Sequence, residues 1–464
     1  MRKFVKIIGF AIYFFIFYTF LFGGLVFNLP MHSPSSLSYN KETIQTTTHP
    51  DTKAYILEDL KESLDVRLVL MDEAEASIKI SYYTIHGGQS RDLFYGAILE
   101  AADRGVSVEI IIDYIFYFQT RGEALPNEAL YIHDNIDFRL YEPYQPWLPY
   151  TIHNRLHDKM IMIDESHGLL GGRNIGDRYY LLNEAEDPAN KTFDRDVLVF
   201  SKPQNPTVLE MNAYYDELFE APYTVKRSAT TTQARLDEQS RLKEVYQTYK
   251  VHESLEGLLE TTETNAIAVQ SAHFLRSPLD RFHKKPVVLE SLSALAVDYD
   301  RWVVQSPYII FHRFMLDALP NQVPDDFTIL TNAKAATPNV FAMSGYQRYR
   351  QPLAENSTLY EYQGPGSIHA KGMIFGDEIS VIGTLNLDPR SATLSTESVI
   401  VVVSKDFTAH YSAILDTYIA RSLEVLEDGQ YAQNVDVEPK ELSRSKQIAI
   451  RITGLFTYFM EVML

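Results

Sequence analysis

One block of nineteen residues occurs twice in this chain: LHDKMIMIDESHGLLGGRN at 156–174 and IHAKGMIFGDEISVIGTLN at 368–386. In both copies a lysine follows the histidine by two places, a glycine by fourteen and an asparagine by seventeen. The matched sets are His157, Lys159, Gly171 and Asn174, and His369, Lys371, Gly383 and Asn386. A single His-x-Lys pair constrains little. Four positions recurring in frame, inside the same apolar pattern, point to a duplicated structural unit. The expected fold class is α/β, with two similar lobes, each a mixed sheet flanked by helices.

On a strand, alternate residues share a face, so His157 and Lys159 point the same way, as do His369 and Lys371. A neutral imidazole serves as nucleophile or base, and its protonated form as an acid. A neighbouring lysine supplies positive charge and three donors for phosphate oxygens. Asn174 and Asn386 add amide donors, and the preceding glycines let the backbone come close to a ligand. Two such sets facing each other form a site for a phosphodiester. One histidine would attack phosphorus while the other protonates the leaving alkoxide.

The paired HxKxxxxD motifs, each followed by Gly-(Gly/Thr)-x-Asn, resemble the phospholipase D superfamily. GGRNIGDRYY (171–180), GTLNLDPRSA (383–392), TNAKAATPN (331–339) and GYQRYR (345–350) are similar to bacterial cardiolipin synthases of its two-motif type. The resemblance implies two phospholipase D-type lobes with His157, Lys159, Asp164, His369, Lys371 and Asp377 in the catalytic set. His157 would form a phosphohistidine and His369 act as general acid and base, with the reverse order open. Lys159, Lys371, Asn174 and Asn386 would bind phosphoryl oxygens. An acidic residue after each motif would orient a histidine: Glu397 in the second half, and Asp196 in the first with Asp194 as competitor. No metal or other cofactor is implied.

One position departs from the pattern. Gly376 stands where Asp164 has its counterpart, and the carboxylate comes one residue later, at Asp377. Strand parity places Asp164 opposite His157 and Lys159, which favours a structural carboxylate. The departure nonetheless keeps an inactive, membrane-tethered lipid-binding protein as an alternative. Hydrolysis of phospholipid to phosphatidic acid is a second alternative to phosphatidyl transfer.

The net charge of −19 disfavours a nuclease, which needs a basic field, so phospholipids rather than nucleic acid are the expected partners. The absence of cysteine excludes disulfides and thiolate metal sites. Residues 7–29 carry no charge and are long enough to span a bilayer, with Arg2, Lys3 and Lys6 before them. An uncleaved anchor at the cell membrane is expected, with the body extracytoplasmic by the positive-inside rule. The expected divisions are an anchor at 1–30, a Ser/Thr/Pro-rich linker at 31–52, lobe 1 at 53–229 and a connecting helical arm at 230–262. Lobe 2 follows at 263–430 and a tail at 431–464.

Within lobe 1, strands are expected at 77–83, 106–113, 138–141 and 194–200, and a helix at 91–104. Within lobe 2, strands are expected at 265–271, 301–306 and 327–331, and helices at 288–296, 311–319 and 407–426. The aromatic, proline-rich 144–150 reads as an acyl-chain entrance or a rigid loop. Tyr346, Arg348, Tyr349 and Arg350 form a basic aromatic cluster suited to an anionic headgroup or to a helix face. Asp388 and Arg390 are expected to pair at the site rim. The apolar end of the tail suits a helix at the membrane surface.

Overall fold

The computed structural model describes residues 2–29, 31–120, 122–183, 185–202, 205–457 and 460–464. Two mixed sheets dominate it. The first runs, edge to edge, through 267–268, Lys53–Leu57, Asp196–Phe200, His167–Gly171, Lys159–Ile163, Ser77–Tyr82, Ser107–Asp113, Ile136–Tyr141 and Thr224–Lys226. The second runs through Ser271–Arg276, Ser398–Val403, Ile379–Gly383, Lys371–Phe375, Arg301–Gln305, Asp326–Asn332, Thr358–Tyr362 and Ser422–Val425. Strand for strand, from Lys53–Leu57 onward, the two orders correspond. In each, three parallel strands join an antiparallel hairpin whose first strand carries the motif lysine.

The duplication is therefore structural, and it explains why the central strands are nearly unbroken apolar runs. Each sheet is covered on both faces. Leu169, Leu198 and Ile161 face the helices Glu62–Glu73 and Gln89–Asp103. Met160, Met162, Val197 and Val199 face the other way, into a core shared with Ile374, Ile382, Ile400 and Val402 of the second sheet. The two lobes thus meet across apolar sheet faces, and the motif strands are brought together at that seam.

Several sequence expectations shift. The strand expected at 265–271 is two pieces: 267–268 completes the first sheet, while Ser271–Arg276 opens the second. The expected arm is the helix Gln233–Glu253, whose Leu242, Tyr246 and Tyr249 are buried in the first lobe's core, so it belongs to that lobe's helical layer. The expected linker is strapped to lobe 2: Ile44 is buried there, Tyr39 bonds the backbone of Arg276, and Lys41 pairs with Asp298 at 2.7 Å. Only Arg313–Leu316 of the expected 311–319 is α-helical.

The N-terminal helix Arg2–Gly23 is long and apolar enough to cross a membrane, and Phe10, Phe14, Ile16 and Phe20 are exposed on it. Its foot is seated on the body. Phe27 is fully buried against Phe314, Leu394, Val462 and Met463, and His153 donates to the Gly23 carbonyl at 2.8 Å. The Trp147 carbonyl accepts from Tyr18, so the 144–150 loop braces this helix.

Candidate active site

Both motif histidines sit at the seam, and each is held by the opposite lobe. The His157 amide donates to the Thr396 carbonyl at 3.2 Å, and its Nδ1 meets Glu397 Oε2 at 2.9 Å. The His369 amide donates to the Phe193 carbonyl at 2.7 Å, and its Nδ1 meets Asp194 Oδ2 at 2.6 Å. In each case one strand end supplies a carbonyl to the histidine backbone and its next residue supplies a carboxylate to the ring. Neither lobe alone can build this arrangement. With Nδ1 occupied, each ring is left with Nε2 for chemistry, in the tautomer its carboxylate selects.

The lysines lie beside the rings. Lys159 Nζ donates to the His157 carbonyl at 2.5 Å and sits 4.8 Å from the centre of the Tyr83 ring, which packs edge-on against His157. Lys371 Nζ lies 2.8 Å from Nδ1 and 3.1 Å from Nε2 of His369 and donates to that residue's carbonyl. Asn174 donates to the Tyr179 hydroxyl at 3.2 Å and Asn386 to Ser391 at 3.4 Å. The Oδ1 atom of each is buried without a partner, and turning the amide over would direct its Nδ2 donors at a phosphate oxygen instead. A cavity of about 430 Å³ opens over His157, His369, Asn386 and Glu397, and Phe341, Phe456 and Met460 share its lining. Lys159, Lys371 and Asn174 are buried close to these groups rather than on the cavity wall.

Burial dominates the electrostatics. It holds the His157 imidazole well below its ordinary value, aided by Lys159 and Lys371, and it takes His369 to about 3, aided by Lys371. Burial and mutual repulsion bring Lys159 to about 7, and burial brings Lys371 to about 8. The two carboxylates diverge. Burial lifts Glu397 to about 8, whereas at Asp194 the Lys371 ammonium and the hydrogen bond from His369 outweigh burial and hold the carboxylate below its ordinary range. A phosphate between the lysines would favour their charged forms.

Three carboxylates of the expected set stand away from the histidines, Asp164 in the structural role that strand parity favours. Asp196 does not touch a histidine. Its carboxylate binds Arg67 at 2.8 Å and Arg173 at 3.0 Å, all fully buried. Strand register gives the reason: Gly171 pairs with Asp196 as Gly383 pairs with Val399, so the counterpart of Glu397 is two residues earlier, at Asp194. Asp164 lies outside the site, where its carboxylate accepts the amides of Glu75, Ala76 and Ser77 at 2.7, 2.9 and 2.7 Å. Asp377 is exposed and pairs with Lys405. Gly376 has φ +63°, and a Cβ there would lie 2.5 Å from the Tyr299 ring. Both turns are left-handed, and lobe 2 meets that demand with glycine instead of aspartate.

Other groups emerge only from the fold. Thr384 stands where the first lobe has Gly172 and donates to Glu397. A Cβ at Gly172 would lie 2.2 Å from Asp194 Oδ1, so a side chain there would displace the carboxylate. Asp388 does not pair with Arg390: it caps the short helix Pro389–Thr393, and Arg390 donates to the Met463 carbonyl at 2.8 Å. The basic aromatic cluster is structural. Arg350 and Tyr346 bind the buried Glu361, and Arg348 and Tyr349 bind Glu461.

Known proteins bear on this site. The family model described as "Cardiolipin synthase, PLD-like domain" matches residues 68–188 and 300–419, one match per lobe. A Helicobacter pylori protein is 24% identical over 460 residues, covering 86% of this chain and 87% of that one. Cardiolipin synthase C of Escherichia coli is 26% identical over 401 residues, covering 75% of this chain and 81% of its own. The crystal structure of a Haemophilus influenzae phosphatidylserine synthase superposes with a TM-score of 0.60 at 14% identity, over 92% of this chain and 96% of that one, and shows the same fold. The chain belongs to the cardiolipin synthase-type branch of the phospholipase D superfamily, whose members are phosphatidyltransferases and phosphodiesterases.

Proposed function

We propose that the protein is a membrane-anchored phosphatidyltransferase that works through a phosphohistidine and makes cardiolipin from phosphatidylglycerol. The observation that carries this reading is the reciprocal pair His157–Glu397 and His369–Asp194, one histidine from each lobe in one cavity. Two imidazoles with oriented rings suit a displacement split into two steps.

In the first step Nε2 of His157 attacks phosphorus and the P–O bond to glycerol breaks, while His369, which takes up a proton at Nε2 when the anionic diester binds beside it, gives that proton to the departing alkoxide. In the second, the hydroxyl of another phosphatidylglycerol gives its proton to His369 while its oxygen attacks phosphorus. The P–N bond breaks and His157 is restored. Lys159, Lys371, Asn174 and Asn386 hold the non-bridging oxygens, and the apolar lining by Phe341, Phe456 and Met460 disfavours water as acceptor. The helix Arg2–Gly23 anchors the body, which lies outside the cytoplasm.

One observation favours the opposite order. Burial raises Glu397 while Lys371 and His369 hold Asp194 low, so a proton is retained more readily beside His157 than beside His369. The His157–Glu397 couple then holds the proton a leaving group needs, and His369 is free to attack. Both orders use the same groups.

The test is product analysis. Full-length protein in phosphatidylglycerol vesicles should yield cardiolipin and free glycerol by mass spectrometry, and the His157→Ala variant neither. Phosphatidic acid as sole lipid product would replace transfer by hydrolysis. Wild-type turnover of no phospholipid would overturn the catalytic reading.

A further inference from the structure

The tail helix Arg444–Thr457 has two unlike faces. One is docked. Ile450 and Thr457 are buried, Thr457 bonds Ser344 and Arg348, and Lys446 Nζ donates to the carbonyls of Ala335 and Thr337 at 2.9 and 2.5 Å. The other face carries Arg444, Ile448, Arg451, Ile452, Leu455 and Phe456, all exposed. At 100° per residue these six fall within an arc of about 140°. A helix on a soluble surface turns its polar side to water. Here the four apolar residues are 53–72% exposed, and because the docked face fixes the helix, they stay outward.

Two observations say what covers this face. First, it is continuous with the catalytic cavity: Phe341, Phe456 and Met460 are each about half exposed or more, and all three line the cavity. Second, it is continuous with the anchor. Val462 and Met463 pack on Phe27 at the anchor's foot, and Arg390 links the Met463 carbonyl to His153, which holds the Gly23 carbonyl. The cavity therefore lies between the anchor foot and the tail helix. The exposed arginines complement an anionic surface, on a chain whose net charge is −19.

We infer that this face is a second membrane contact whose occupant is a phospholipid bilayer, so that lipid reaches the cavity sideways from the bilayer between tail and anchor foot. The inference rests on the membrane-anchored reading above and adds the route of substrate entry. A second copy of the chain or another protein is the competing occupant.

The chain has no cysteine, so single labels can be placed cleanly. In full-length protein reconstituted into phosphatidylcholine–phosphatidylglycerol vesicles, an environment-sensitive fluorophore on Leu455→Cys should shift to the blue and be quenched by spin-labelled lipid. The same label on Val251→Cys, 78% exposed on the helix Gln233–Glu253 of the first lobe's helical layer, should do neither. A blue shift at 455 without lipid quenching would mean a protein partner and overturn the inference, as would behaviour matching position 251. A second arm uses Ile452→Ser with Leu455→Ser, neither of which lines the cavity. Turnover of long-chain phosphatidylglycerol in vesicles should fall about tenfold, while turnover of a short-chain, monomeric phosphatidylglycerol stays unchanged. Equal loss on both would make the helix merely structural and overturn the seat. If wild-type protein turned over neither lipid, the catalytic reading would fail, and the quenching result would still decide the membrane contact.

Discussion

Replacing Asp164, the aspartate of the first motif, should cost stability and leave chemistry alone. Its carboxylate accepts three backbone amides, at Glu75, Ala76 and Ser77, and its own φ is +49°. Loss of capping bonds of this kind costs about 0.5–2 kcal/mol each when buried, less when solvent can replace them. Asp164 is partly buried, so the three together give about 2–3 kcal/mol for Asp164→Ala. Alanine also keeps the left-handed backbone without a side chain that bonds locally, adding about 1 kcal/mol. Asp164→Gly loses the bonds but relieves the backbone, so it should be the milder variant by about 1 kcal/mol. Gly376, at the matching turn of lobe 2, shows that glycine suffices there. Denaturant unfolding of both variants beside wild type measures the order, and kcat on vesicle lipid, corrected for folded fraction, should stay within about twofold. A drop in kcat of tenfold or more in Asp164→Ala, with stability unchanged, would refute the structural assignment and return Asp164 to the chemistry.

Further predictions separate the acidic groups and the lysines. Asp194→Asn and Glu397→Gln should each lower kcat by about 10²–10⁴-fold, with folding retained, because a histidine loses the carboxylate that sets its tautomer; steady-state kinetics with a thermal melt as control checks this. Asp196→Asn should instead destabilise the first lobe by about 3–5 kcal/mol, leaving Arg67 and Arg173 buried without a charge partner, and would show as loss of soluble folded protein. The free enzyme's lysines lose charge as pH rises through about 7 for Lys159 and about 8 for Lys371. An anionic diester binds the charged form, so kcat/KM should fall on the alkaline side over that range. The corresponding fall in kcat should move to higher pH, since bound phosphate stabilises the ammonium forms; a pH profile of both parameters tests it.

The sequence revealed most where the repeat could be aligned without a gap. The spacing of His157, Lys159 and Asn174 is reproduced by His369, Lys371 and Asn386, and the strands carrying the lysines form matching hairpins. Glu397 was also legible, because it directly precedes the strand Ser398–Val403 and nothing is inserted before it. Spacing alone does not separate Asp194 from Asp196. The carboxylate comes 37 residues after His157 but 28 after His369, and the longer excursion removes the frame. Only the pairing of Gly171 with Asp196 restores it. The reciprocal arrangement was not legible at all, since sequence spacing does not say which lobe's carboxylate meets which lobe's histidine.

Longer-range packing hid the rest. The segment 31–52 has a linker's composition, yet it lies along lobe 2 through a few anchors such as Ile44 and Tyr39. The helix Gln233–Glu253 is mostly polar, and the three apolar residues that dock it, Leu242, Tyr246 and Tyr249, are too sparse to announce a core face. The tail was legible as apolar, but its division into a docked face and an exposed face required the partners of Thr457 and Lys446.

Two histidines that share one covalent site should be separable by trapping the intermediate. A phosphatidyl p-nitrophenyl ester has a leaving group that needs no proton, so the histidine acting as general acid is dispensable for the first step. Full-length His157→Ala and His369→Ala would each be mixed with this ester, quenched, and examined by intact-protein and peptide mass spectrometry. The account predicts a stoichiometric burst and a phosphatidyl adduct in one variant only, carried by the surviving motif histidine. His369→Ala labelled at His157 would support the first order of events, and His157→Ala labelled at His369 the second. Turnover of the ester by wild type with no adduct on either histidine, or turnover retained in the double variant, would contradict it.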